Sequence, residues 1–106
     1  MSMESSIYIG FTDGASHHTQ HSSPTAWVIY IPTGQVLSSG GVCLRPSSNN
    51  VAEYSVVIEL LRDAILHSVL SLEVRLDSEL VVSQLNGLYH VIDPTLLQRF
   101  LHVRFL

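Results

Sequence analysis

Asp13, Glu53 and Asp77 are three carboxylates whose settings in the chain would carry them to one end of a single sheet. Converging carboxylates repel one another, so such a trio implies either a divalent cation or a shared proton. Oxygen donors of this kind select Mg2+ or Mn2+. A pair of such ions about 4 Å apart suits in-line attack of water on phosphorus. The chemistry implied is phosphodiester hydrolysis, the work of a nuclease. Each acid taken alone has a plainer reading, because Asp is common where a strand enters a turn and a Glu near a helix start gains from the macrodipole. Gly14 directly after the first acid, and Asn49-Asn50 shortly before the second, weigh the set toward a metal site.

Spacing predicts the elements that must position these acids. Residues 6–13, 25–31 and 35–44 read as three strands of an antiparallel meander, with Pro32-Thr33-Gly34 as the tight turn between the last two. From about residue 50 to 67 the apolar period becomes helical, and Glu53 falls in the first turn on the stripe of Val57, Leu60 and Ala64, which faces the core. Residues 72–77 form a fourth strand. Ser78 caps a short helix to residue 86, which Gly87 ends, and Pro94 opens a helix that runs to Leu106.

If the first strand points up, the long helix starts at the top and a right-handed crossover returns the fourth strand upward beside its neighbours. The ends of the first and fourth strands and the start of the long helix then share the edge where α/β folds bind ligands. Strand parity gives a mixed check, since Asp13 alternates with Ile7, Ile9 and Phe11, whereas Asp77 alternates with Glu73 and Arg75.

A chain of 106 residues fits one α/β domain with one core. A single cysteine, Cys43, excludes an internal disulfide and reads as a small core residue in a reducing environment. Neither a membrane-length apolar run nor a signal-peptide pattern occurs, so the expected location is intracellular, cytoplasmic or nuclear, with no membrane partner. Lysine is absent, five arginines face nine acids, and the net charge is −4. Binding to a polyanion should therefore be weak and only shallowly salt-dependent. His17, His18 and His21 cluster in one polar stretch without the fourth ligand and defined spacing of a zinc site; a solvated loop near a substrate groove fits them better.

Three motifs carry a family resemblance: Thr12-Asp13-Gly14-Ala15-Ser16, Asn49-Asn50-Val51-Ala52-Glu53-Tyr54 and Leu76-Asp77-Ser78-Glu79-Leu80-Val81-Val82. With the turn Leu85-Asn86-Gly87-Leu88-Tyr89, they make the chain resemble a type 1 ribonuclease H from about Ser6 to its end, in the compact archaeal and plant-like branch that lacks a basic protrusion. The resemblance implies a ribonuclease H-like mixed sheet with helices packed on it. It implies that Asp13, Glu53 and Asp77 coordinate two Mg2+ or Mn2+ ions. Gly14, Ser16, Asn49 and Asn50 would line the minor groove and sense RNA 2′-hydroxyls, which A-form duplexes present in a wide, shallow groove. The two asparagines also suit helix capping. The implied substrate is an RNA–DNA hybrid, with double-stranded RNA accepted if 2′-hydroxyls are tolerated on both strands.

The chain also departs from the family. Glu79 stands where a neutral amide is usual, and an extra carboxylate there would oppose phosphate or alter metal affinity. The family continues through a fifth strand and a final helix carrying a histidine and a fourth acidic ligand, so the chain reads as a single domain over residues 1–106, incomplete at its C-terminus. His102 does not match that histidine, and Asp93 before Pro94 reads as a helix cap. Without a fifth strand the fourth would expose a pairing edge, from which a homodimer or strand-exchanged oligomer is expected. The alternative function is a catalytically weak or inactive nucleic-acid-binding remnant.

Overall fold

Apolar and β-branched runs separated by turn residues form an antiparallel meander of β1 (Tyr8–Asp13), β2 (Ser23–Tyr30) and β3 (Val36–Leu44). The computed structural model describes residues 6–13, 23–44, 49–89, 91–92 and 100–106. The turn expected at Pro32-Thr33-Gly34 is present: Gly34 adopts φ +102°, which favours glycine, and its N–H donates to Ile31 O at 2.8 Å. Ile29 pairs with Ser38 but Tyr30 with Val36, so the register shift leaves Leu37 as an extra residue near the start of β3.

The helical period produces α1 (Asn49–Leu66). Its buried side carries Ala52, Val56, Val57, Leu60, Leu61 and Ala64, while Val51, Ile58 and Leu66 are exposed. The helix ends without glycine. Ser68 takes φ 58° and its N–H donates to Ile65 O, while the Val69 N–H donates to Ala64 O, each at 3.0 Å. These bonds make a Schellman motif, with Val69 buried beneath it.

The chain then rises as β4 (Ser71–Arg75), parallel to β1 as expected. Next comes α2 (Glu79–Leu88), whose N-cap is Ser78, accepting from Val81 N at 3.3 Å. Gly87 does not end this helix; Leu88 still belongs to it and Tyr89 caps it, its N–H donating to Leu85 O. Two further strands follow, β5 (Val91–Ile92) and β6 (Leu101–Phe105), giving a six-stranded sheet in the order β3-β2-β1-β4-β6-β5.

β6 corrects two expectations. Residues 101–105 were read as part of a terminal helix, and the fifth strand of the fold was expected to be missing. Instead Leu101, Val103 and Phe105 are buried, His102 and Arg104 are exposed, and the strand lies parallel to β4. A run this short fits either period. The unpaired groups of β4 and its neighbours decide: His102 N donates to Leu70 O, Leu106 N to Val74 O, and Leu76 N to Leu106 O. The outer side of β6 is also held, because the Asn86 amide on α2 donates to Phe105 O and accepts from Phe105 N, both at 2.9 Å. The open β4 edge from which an oligomer was expected is therefore covered by β6, and that argument for self-association falls. Asp93, Pro94 and the helix expected to begin there lie outside the described residues up to residue 99.

The core lies between the sheet and the helices. Ile29, Leu72, Val74, Leu101, Val103 and Phe105 pack with Val57, Leu60, Leu61 and Ala64 of α1 and with Val81 and Leu85 of α2. A Cβ on Gly10 would stand 3.1 Å from Leu60, so the missing side chain permits β1 and α1 to approach closely. This sets the parity of β1, whose Gly10 and Thr12 positions meet α1. The opposite, apolar positions with which Asp13 alternates leave Ile7 and Phe11 exposed. There Phe11 meets Tyr30 edge-on, and the Arg75 guanidinium, held by Glu73, lies over its ring. No helix among the described residues is long and apolar enough to cross a membrane.

Candidate active site

The first of the three acids closes β1, where the Asp13 backbone pairs with Ala26 of β2. On its other side β1 runs parallel to β4 with Tyr8 opposite Leu72, Ile9 opposite Glu73, Gly10 opposite Val74 and Phe11 opposite Arg75. That offset, carried two residues on, sets Asp13 level with Asp77. Within the ladder itself Phe11 and Arg75, the residues two before these acids, share a rung and therefore a face. Asp77 is exposed just beyond β4, next to the N-cap of α2.

Glu53 comes to the same end by a different route. It sits in α1 on the stripe of Val57, Leu60 and Ala64, as expected, but one turn further in than the sequence suggested, since the helix begins at Asn49 and its first turn holds no acid. It is 8% exposed and is the one buried charged residue among those described. Burying an ionised carboxylate is costly unless it is hydrogen-bonded or paired. The Thr12 hydroxyl on β1 donates to its Oε1 at 2.5 Å. Thr12 precedes Asp13, so this bond ties the acid-bearing turn of α1 to the end of β1. The three acids thus lie around the C-terminal ends of the two central parallel strands. The side chains of Asp13, Asn49 and Asn50, and the whole of Gly14 and Ser16, lie outside the described residues. The backbones of Asn49 and Asn50 form the first two positions of α1. Among the described residues, no group of three or more His, Cys, Asp and Glu side chains is placed to hold a metal.

A second polar centre on α1 was not foreseen. Asp63 Oδ2 accepts from Trp27 Nε1 on β2 at 3.0 Å, and its Oδ1 lies 3.2 Å from His67 Nδ1. Ser38 on β3 also hydrogen-bonds this carboxylate. Burial by itself would raise the pKa of Asp63; the hydrogen bonds from Ser38 and Trp27, followed by the charge and hydrogen bond of His67, outweigh it and hold the group below its ordinary value. The Trp27 ring occupies the space over Gly40, where any Cβ would collide with it. Thr12, Trp27, Ser38 and Asn86 all act through partners far away in sequence. Thr12 and Asn86 fall within the motif and the turn that carry the resemblance, whereas local spacing gives no sign of Trp27 or Ser38.

The donor set at the strand ends is made of carboxylates, the chemistry that Mg2+ and Mn2+ require, and one of them is buried with a single hydroxyl donor among the described residues. These features fit a divalent cation.

Comparison with known proteins agrees with the fold. The model of the reverse transcriptase-like family matches residues 11–106. Ribonuclease HI of Halobacterium salinarum is 32% identical over 94 residues, covering 89% of this chain and 47% of that protein, so the chain spans about half the length of this relative. Among solved structures, LC11 ribonuclease H1 in complex with RNA/DNA hybrid superposes with a TM-score of 0.72 at 29% identity, covering 93% of this chain and 83% of the other. The N-terminal ribonuclease H domain of a Mycobacterium tuberculosis protein gives 0.69 at 31% identity, with 88% and 68% covered. Ribonuclease H1 of Halobacterium salinarum gives 0.67 at 32% identity, with 83% and 67% covered. On the family match over residues 11–106 and these likenesses, the chain belongs to the reverse transcriptase-like family and is a type 1 ribonuclease H-like domain.

Proposed function

We propose that this chain is a divalent-metal-dependent endoribonuclease that hydrolyses the RNA strand of RNA–DNA hybrids, with double-stranded RNA as a second substrate class. The observation that carries the reading is the parallel β1–β4 register, which, extended two residues past Phe11 and Arg75, would level Asp13 with Asp77 at the end where Thr12 holds Glu53. The LC11 neighbour, crystallised with an RNA/DNA hybrid, supports the substrate class.

In this reading Asp13, Glu53 and Asp77 hold two Mg2+ or Mn2+ ions. When bound, these supply an activated water and offset the charge on the leaving oxygen. Glu53, buried and fixed by Thr12, has little freedom to swing away, so its carboxylate is oriented before metal binds. Gly14, Ser16, Asn49 and Asn50 contact the minor groove through backbone and amide groups that recognise 2′-hydroxyls without reading bases. With no lysine in the chain, phosphate attraction contributes little and the groove contacts carry more of the binding.

The test is cleavage of end-labelled RNA–DNA hybrid and double-stranded RNA by wild type and Asp13→Asn, in Mg2+, Mn2+ and EDTA. Metal-dependent cutting by wild type that disappears in the variant supports the nuclease, and the faster substrate names its preference. Hybrid binding without cutting in any metal would leave the chain a binding remnant.

A further inference from the structure

We infer that Thr12 is a positioning residue that sets the orientation of the Glu53 carboxylate for metal binding. The inference rests on the reading of Glu53 as a metal ligand and goes beyond it by assigning a residue of β1 control over a ligand on α1. Glu53 is the one buried charged side chain among the described residues, and within that set its donor is the Thr12 hydroxyl. The alternation of β1 brings Thr12 to the α1 side with Gly10, and the bare Gly10 permits the helix to sit close enough for a side chain as short as threonine to reach it. Within the described residues the Thr12 hydroxyl restrains Oε1, and Oε2 would be the oxygen offered to a cation. Among the described residues this differs from Asp63, which joins α1 to the sheet through Trp27 and Ser38 and also meets His67. Groups that orient ligands in this way typically alter metal affinity 10- to 100-fold when removed, roughly the range expected here.

The experiment titrates Mn2+ into wild type, Thr12→Val, Thr12→Ser, Glu53→Gln and the Thr12→Val/Glu53→Gln double variant. Free Mn2+ is followed by electron paramagnetic resonance, and hybrid cleavage is measured in parallel. Thr12→Val keeps the shape and removes the hydroxyl; it should weaken Mn2+ binding about tenfold or more, and Thr12→Ser should restore most of it. In the Glu53→Gln background, Thr12→Val should produce no further loss, because the carboxylate it orients is gone. Wild-type Mn2+ affinity in Thr12→Val, failure of serine to rescue, or equal losses with and without Glu53 would each overturn the inference while leaving the nuclease reading intact. Absence of both Mn2+ binding and cleavage in wild type would instead sink the functional reading, and with it the metal ligand that the inference presupposes.

Discussion

Glu53 and Asp63 are acids on the same helix, yet their surroundings are opposite. Glu53 is more deeply buried but has one hydroxyl donor among the described residues. Asp63 is less buried and collects an indole, a hydroxyl and an imidazole. A carboxylate whose lone pairs are taken by protein donors is satisfied and joins elements, here the second half of α1 to β2 and β3. One that is buried with fewer donors retains capacity for a cation. Among the described residues the two acids thus differ in how many donors the fold supplies, which is the difference that the proposed division between anchoring and cation binding rests on.

The largest effect should come from removing the charge of Glu53. Glu53→Gln keeps the shape and can still accept from Thr12, so the thermal unfolding midpoint should hold or rise in EDTA, while hybrid cleavage falls by about a hundredfold or more. A variant that cleaves normally would erase the distinction between the two acids.

The converse variant, Asp63→Ala, should leave cleavage at saturating metal nearly unchanged and reduce stability by about 1–3 kcal/mol, because the Trp27 N–H and the Ser38 hydroxyl lose their partner. Denaturant unfolding measures this, and intrinsic fluorescence reports it directly because Trp27 is the sole tryptophan. Activity lost with no loss of stability would reverse the roles assigned here.

The smallest effect is the pH dependence. The pKa of Asp63 is lower in the fold than in the unfolded chain, so its contribution is complete above the unfolded value, near pH 4, and is lost as pH falls through the depressed folded value. Stability measured from about pH 5 downward should fall less steeply in Asp63→Asn than in wild type. Parallel acid limbs would mean that the Trp27, Ser38 and His67 contacts do not favour the charged form.

Much of the site was legible because acids at strand ends follow from chain direction. With β1 rising and α1 descending from the same edge, the chain positions of Asp13, Glu53 and Asp77 fall at one end of the sheet, and the motifs around them imply the same proposed site. The stripe of Val57, Leu60 and Ala64 carried its burial in its spacing. The parity of β1 was less legible. Ile7, Ile9 and Phe11 look like the buried side, but the small Gly10 determines which face α1 approaches, and that depends on how closely Leu60 packs.

What the sequence determined by itself was local: alternation made the meander, Gly34 made its turn, Ser78 capped α2, and the 3.6-residue period made α1. The tertiary structure decided residues 101–105, whose few apolar positions satisfy either period until β4 and Asn86 offer hydrogen-bonding groups that only an extended strand can meet. Among the described residues it also decided which acid is held by one donor and which by several. Such bonds join Thr12 to Glu53 and Trp27 to Asp63 across long stretches of chain, where local spacing carries no information about contact and only packing brings donor to acceptor.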